Sequence, residues 1–384
     1  HTAALQAQWQ TWLRARYRDD AALLAAWGPV GRGSRAGDSL ANAAMPIYGA
    51  WEMAADGPAS NKAEKARMGD FVRFLAETQA AYYARRTAQL RDLGFRGVTV
   101  TTAWRAGGPA ADAANLWTDD VADAIDRHAY FGGGAGGHSI APGAVENESH
   151  VALPGEGILG IGLQQVEDKP FVVSEWNQNP PNEWRAESAP LVAFYGMGLQ
   201  GWDAAIHFTA GTAVRYGGGW PGLRSYVSET PVYMGQFPAL ALAVHRGDVP
   251  QGDLVAARRI ALDDVFRGVD AFSQRLPGVG YDPADSASTL FTPFDTLAMG
   301  RVTAKIGGES APSSRTDWAA RRNAHTGAVT SAPSGLTWDP ALRIVTVNTD
   351  RTEAIIGRAA GGLYPGRETL ALGHFQVKVL TPFV

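Results

Sequence analysis

Hydrophobic positions recur at helical spacing from the start of the chain. Leu5, Trp9, Trp12, Leu13 and Tyr17 share one face of a 3.6-residue period and predict a helix over 3–17. Asp19 and Asp20 are residues that cap helix starts, and Gly28-Pro29 stops one, so a short helix is expected over 21–27. Residues 28–62 lose the periodicity and are rich in Gly, Ala, Ser and Asn, around a Pro46-Ile47-Tyr48 island. They are expected to form an irregular loop across the surface. Phe71, Phe74, Leu75, Thr78, Tyr82 and Leu90 then lie on one face of a long helix over 63–92, ended at Gly94.

The pattern next switches to short β-branched or apolar runs. Strands are expected over 98–102, 122–130, 171–174 and 201–208, with helices over 110–122, 155–167, 187–198 and 234–246. Strands alternating with helices imply a parallel sheet with right-handed crossovers. Beyond 250 the alternation stops. Residues 252–300 read as loop with some helix, and strands over 342–348, 353–356 and 375–380 suggest an antiparallel sheet.

Four parallel strands are half of the eight that close a (β/α)8 barrel. The expected fold class is therefore α/β: a TIM barrel of which this chain holds the later half, followed by a small antiparallel β domain. The expected parts are 1–250 for the half-barrel, 251–300 for a linking or packing segment, and 301–384 for a β-sandwich-like accessory domain. The first half-barrel is expected upstream of His1 or on a second chain, with which this one would pair.

Composition narrows the chemistry. Hydrophobic residues make up 45% and charged residues 19%, ordinary for a globular protein. A net charge of −4 gives no electrostatic footprint for nucleic acid. No apolar run approaches the roughly 20 residues of a membrane helix. The absence of Cys excludes disulfides, thiolate catalysis and Cys-ligated zinc. Of the twelve Trp, most are expected in the core. Those at predicted strand ends, Trp104, Trp176 and Trp202, are candidates for stacking on sugar rings.

The run Pro170-Phe171-Val172-Val173-Ser174-Glu175-Trp176-Asn177 carries the chemistry. An apolar strand ends in a carboxylate, followed at once by an aromatic. In a parallel barrel the C-terminal strand ends face the active site. A carboxylate there suits glycoside hydrolysis, in which two carboxyl groups flank the scissile bond. Glu175 is thus the candidate nucleophile, with His128 and Tyr130 as candidates to orient it. The second carboxylate is not evident. Glu52, in Ala50-Trp51-Glu52-Met53, precedes a helix rather than ending a strand, and Trp51 fits a substrate-lining role better.

Other motifs fail on context. Gly132, Gly134 and Gly137 match a dinucleotide string, but Pro142 breaks the helix it needs, so a flexible loop is expected. His138, Glu146, Glu148 and His150 have no metal-ligand spacing. No Gly-x-Ser-x-Gly elbow occurs. Asn147-Glu148-Ser149 is a glycosylation string of low specificity. No cofactor and no metal are expected.

With His128-Ala129-Tyr130 ending one strand and Ser174-Glu175-Trp176-Asn177 the next, residues 1–250 resemble the later barrel strands of clan A glycoside hydrolases. That group includes β-galactosidase, cellulase and agarase families. The resemblance implies a retaining hydrolase of β-linked sugars or polysaccharide, with Glu175 as nucleophile at the end of strand seven. It implies His128 and Tyr130 near that Glu, and Trp202 flooring the sugar site. It places the acid/base Glu after an Asn at the end of strand four, and no Asn-Glu pair precedes Val98. The acid/base is therefore expected upstream of this chain. A secreted or periplasmic enzyme is expected, although no signal-peptide pattern follows His1. The competing expectation is a non-catalytic carbohydrate-binding or structural barrel.

Overall fold

A computed structural model describes residues 2–49, 52, 63–104, 109–134, 145–210, 226–266, 292–307, 314–315, 318–333, 335–357, 369–374 and 376–378. The chain divides into two compact units. One comprises His1–Ile125, Arg259–Ser273 and Lys305–Pro312, the other Asp126–Arg258, Gln274–Ala304 and Ser313–Val384.

The first unit is helical. α1 (Thr2–Arg16), α2 (Asp20–Trp27), α3 (Lys65–Asp92) and α4 (Pro109–Asp119) follow the apolar periodicity. Asp19 caps α2 by accepting from Ala22 N at 2.8 Å, satisfying one orphan donor of the helix start. The core is aromatic. Trp9 stacks with both Trp12 and Trp27, with centroids 5.3 and 6.0 Å away, and Phe71 meets it edge-on.

Two expectations fail in this unit. The segment after α2 is not a surface loop, because Met45, Tyr48 and Leu40 are buried in the same core. A buried charge pair ties it down: Arg67 on α3 donates from Nε and Nη2 to both oxygens of Asp38, each at 2.8 Å, and from Nη2 to Pro46 O. The β-branched residues 98–102 form no strand. Thr99 N donates to Asp123 Oδ2 at 2.7 Å, while its carbonyl accepts from the N–H groups of Asp123 and Ala124. A local turn thus uses the groups a ladder would need, and Val98 and Val100 stay exposed.

The second unit holds a three-stranded sheet in the order β1 (Ile125–Phe131), β2 (Phe171–Gln178), β3 (Ala204–His207), with β2 and β3 parallel. The chain is mixed α/β, as expected, but the parallel sheet has three strands where four were predicted. Among the described residues no closed barrel is formed. Helical turns fill the crossovers: Gly157–Gln164 between β1 and β2, and Arg185–Glu187 running through Val192–Leu199 between β2 and β3. α5 (Phe237–Arg246) ends at Gly247, whose φ of 62° is the left-handed cap glycine tolerates.

Beyond it, Leu254–Ile260 is a strand where loop and helix were expected, pairing Ala256 with Arg315 and Ala257 with Ser314. A four-stranded antiparallel sheet follows, from Val329–Thr330, Leu336–Asp339, Ile344–Asn348 and Glu353–Gly357. It belongs to the same compact unit as the parallel sheet. Its Trp338 is fully buried, meets Tyr195 edge-on and donates to Val151 O at 2.7 Å. The strand expected over 375–380 is Gln376–Lys378, paired with Thr369–Ala371.

Two buried amides lock this unit's interior. Gln165 Nε2 donates to Gln200 Oε1 at 2.9 Å, and Gln200 Nε2 donates to Leu297 O and Gly300 O at 2.7 and 2.5 Å. Val302 N also donates to Gln200 Oε1. Replacing one amide by an apolar side chain strands the others in a dry interior. Gln200→Leu should therefore destabilise the chain by about 2–4 kcal/mol. The double variant Gln165→Leu/Gln200→Leu should cost less than the sum of the single ones. Urea unfolding of all three against the parent measures this.

Candidate active site

The site forms where β1 and β2 end. In a strand, alternate side chains share a face. Asp126, His128 and Tyr130 thus project from one face of β1, and Arg127, Ala129 and Phe131 from the other. β2 does not keep this alternation. Val172 pairs with Ala204 and Val173 with Ala205, but Trp176 pairs with His207. β2 advances three residues while β3 advances two, so one extra residue is accommodated at Ser174-Glu175. A bulge of this kind re-aims side chains and is frequent beside active sites.

Because of it, consecutive residues both reach His128. Its Nε2 lies 3.1 Å from Ser174 Oγ, and its Nδ1 lies 3.3 Å from Glu175 Oε2. The second contact is an ion-pair distance without hydrogen-bond alignment. Tyr130 OH donates to the same Oε2. Burial, and then the neighbouring carboxylate, push the Tyr130 phenol far above its usual ionisation, so it stays a donor. The Glu175 side chain keeps 28% exposure, which leaves the carboxylate accessible.

An aromatic wall stands beside this pair. Tyr130, Phe208 and Tyr226 form a triangle, with Tyr226 centred 5.1 Å from each of the other two. Asn177 Nδ2 donates to Phe208 O and fixes the end of β3 to the end of β2. His207 Nδ1 lies 2.5 Å from Ser228 Oγ, and Ser228 N donates to Thr209 O. These bonds secure the segment that carries Tyr226. Burial lowers the His207 pKa to about 4, so the ring is neutral.

The structure thus brings together Glu175, His128 and Tyr130, and does not bring the tryptophans to them as sugar platforms. Trp176 and Trp202 are each 2% exposed. Trp176 points inward from β2 and meets His207 edge-on at 4.4 Å. Trp202 packs on Phe171 and closely over Gly196. Neither ring has a free face. Trp104 is 60% exposed but belongs to the other unit. Trp51 lies outside the described residues, as do Gly137, His138 and Pro142. Glu52 makes an ion pair with Arg35 at 2.8 Å. Burial works to raise its pKa, but the Gly49 N–H and Arg35 hold it below the usual range, the wrong direction for a catalytic acid.

Sequence reasoning missed Asp126, Ser174, Phe208 and Tyr226. The period-two pattern Asp126-x-His128-x-Tyr130 was a readable signal for the first. Among the described residues no group of three or more His, Asp and Glu is arranged to hold a metal, and the neighbours of the Glu175 carboxylate are Tyr130 and His128. The chain matches no protein-family model, and no curated protein or solved structure matches it.

A second carboxyl group, Glu187, is fully buried in the same unit. It accepts from Ser149 Oγ and from Val151 N at 3.1 Å. Burial raises its pKa to about 7 despite these donors. The bonds hold the turn in which His150 stacks on Phe131, the residue after Tyr130. An acid whose folded pKa lies above its unfolded value binds more protons when folded. Stability from that source is present below about pH 4.5 and is lost as pH rises to about 7. His150 and His207, both lowered to about 4 by burial, act in the opposite sense, losing stability as pH falls through about 6.5 to 4. The difference between parent and Glu187→Gln isolates the first contribution. Parent stability relative to that variant should fall by about 3 kcal/mol between pH 4.5 and 7 in chemical denaturation.

Proposed function

We propose that this chain carries the nucleophile of a retaining glycoside hydrolase acting on β-linked sugars or polysaccharide. The observation that carries the reading is the accessible Glu175 carboxylate at the end of the middle parallel strand, held by the Tyr130 hydroxyl and flanked by His128. A nucleophilic carboxylate must stay ionised and aimed, and a donor on one oxygen leaves the other for attack. Glu175 Oε1 would attack the anomeric carbon as the glycosidic oxygen departs, forming a glycosyl ester. Water would then cleave the ester with retention. Phe208 and Tyr226 offer the apolar surface on which a pyranose C–H face packs. The acid/base carboxylate is assigned to polypeptide upstream of this sequence, in keeping with the resemblance to clan A hydrolases.

A dinitrophenyl deoxyfluoro-β-glycoside tests this without the acid/base, because its leaving group departs unprotonated. The parent should gain the mass of one glycosyl group, mapped to the peptide carrying Glu175. Glu175→Gln should gain none. Tyr130→Phe should label about 10–100-fold more slowly, the effect of losing one hydrogen bond to a charged group. A parent that binds sugar but takes no label would replace this reading with the non-catalytic, carbohydrate-binding one.

A further inference from the structure

We propose that Asp126 is a positioning residue that sets the aim of Glu175 by holding the bulge in β2; the proposal rests on the reading of Glu175 as nucleophile. The argument starts from the backbone. An extra residue in one strand leaves a peptide group out of step with the ladder. Such a group must find another partner when it is removed from water. Here Ser174 N donates to Asp126 Oδ1 at 3.0 Å. Asp126 is itself buried, at 8% exposure, so this acceptor sits in a site that water does not readily replace.

The geometry links the two strands at three successive levels. Asp126 accepts from the Ser174 N–H, His128 Nε2 lies against the Ser174 hydroxyl, and His128 with Tyr130 faces the Glu175 carboxylate. Only the first of these acts on the backbone of β2. It therefore decides where the Glu175 Cα lies, whereas the others adjust its side chain. Phe171 N is treated alike further down β2, where it donates to Asp203 Oδ2 at 2.8 Å. That bond anchors the start of the strand and leaves the bulge to Asp126. A misplacement of about 1 Å at a reacting atom costs about a hundredfold in rate, so loss of the pin should slow chemistry while leaving sugar contacts in place.

The test uses the full chain with Asp126→Ala, Asp126→Asn and Asp126→Glu. Asn keeps an acceptor at the same position, and Glu moves it by one methylene without deleting it, so a folded informative variant remains if Ala fails to fold. Two readouts are taken: hydrogen exchange at the Ser174 amide, and the labelling rate of Glu175 set against the affinity for an unreactive β-glycoside. Asp126→Ala and Asp126→Glu should lose protection at Ser174 and label about a hundredfold more slowly, with affinity for the glycoside unchanged. Asp126→Asn should stay close to the parent in exchange, labelling rate and affinity.

Protection at Ser174 that survives Asp126→Ala would overturn the proposal, as would loss of protection without slower labelling. A parent that takes no label would remove the glycosidase reading and this one with it. That outcome is distinct from failure of Asp126 alone, in which parent and variants label at the same rate.

Discussion

The extra residue at Ser174-Glu175 is the constraint on which the candidate site depends, and it lets three apolar side chains share one face of β2. Phe171, Val173 and Trp176 are all buried. The first two are two apart, as a strand requires, but the third is three further on. A regular strand can turn only two of them to the same interior. Burying a side chain of this size is worth about 1.5–3 kcal/mol. The bulge keeps all three on one face, and the two residues left between the apolar anchors are Ser174 and the carboxylate Glu175. Ser174 and Glu175 both reach His128 at the level where Trp176 turns inward.

Irregular backbone elsewhere in this unit follows the same logic. Where the chain leaves its ladder inside the protein, a side chain meets it: Asp126 at the bulge, Glu187 at Val151, Gln200 at Val302. Buried peptide groups are almost always paired. Here the pairing groups are carboxylates and an amide, each tying its own segment to another. The polar residues of this interior are thus joints between segments rather than surface chemistry turned inward.

Much of the helical part was legible because its signal is local. Leu5, Trp9 and Leu13 specify a face regardless of what covers it, and Asp19 caps its helix within three residues. Strand 98–102 was misread because β-branched residues report only a fit to a pleated, half-buried surface. Among the described residues no strand meets Thr99, and the Asp123 side chain takes its N–H instead. Residues 28–49 were misread because composition marks irregular backbone but not burial, and Arg67 with Asp38 holds this stretch inside. At the site, Glu175, His128 and Tyr130 could be named from their places at strand ends. The tryptophans could not be sorted, since an indole that stacks on sugar and one that fills a core look alike in sequence. Phe208 and Tyr226 escaped because their meeting with Tyr130 depends on how a distant segment returns.

The indole stack in the helical unit has an optical consequence. Trp9, Trp12 and Trp27 lie parallel enough, at 22° and 11° between planes, and near enough for their transition dipoles to couple. Trp27 also donates its N–H to the Asp70 carboxylate at 2.8 Å, a polar contact that shifts indole emission. These three chromophores all belong to the first unit. The absorbance and circular dichroism of that stack form a built-in reporter on the folding of the helical unit, one that leaves the chemistry at Glu175 untouched.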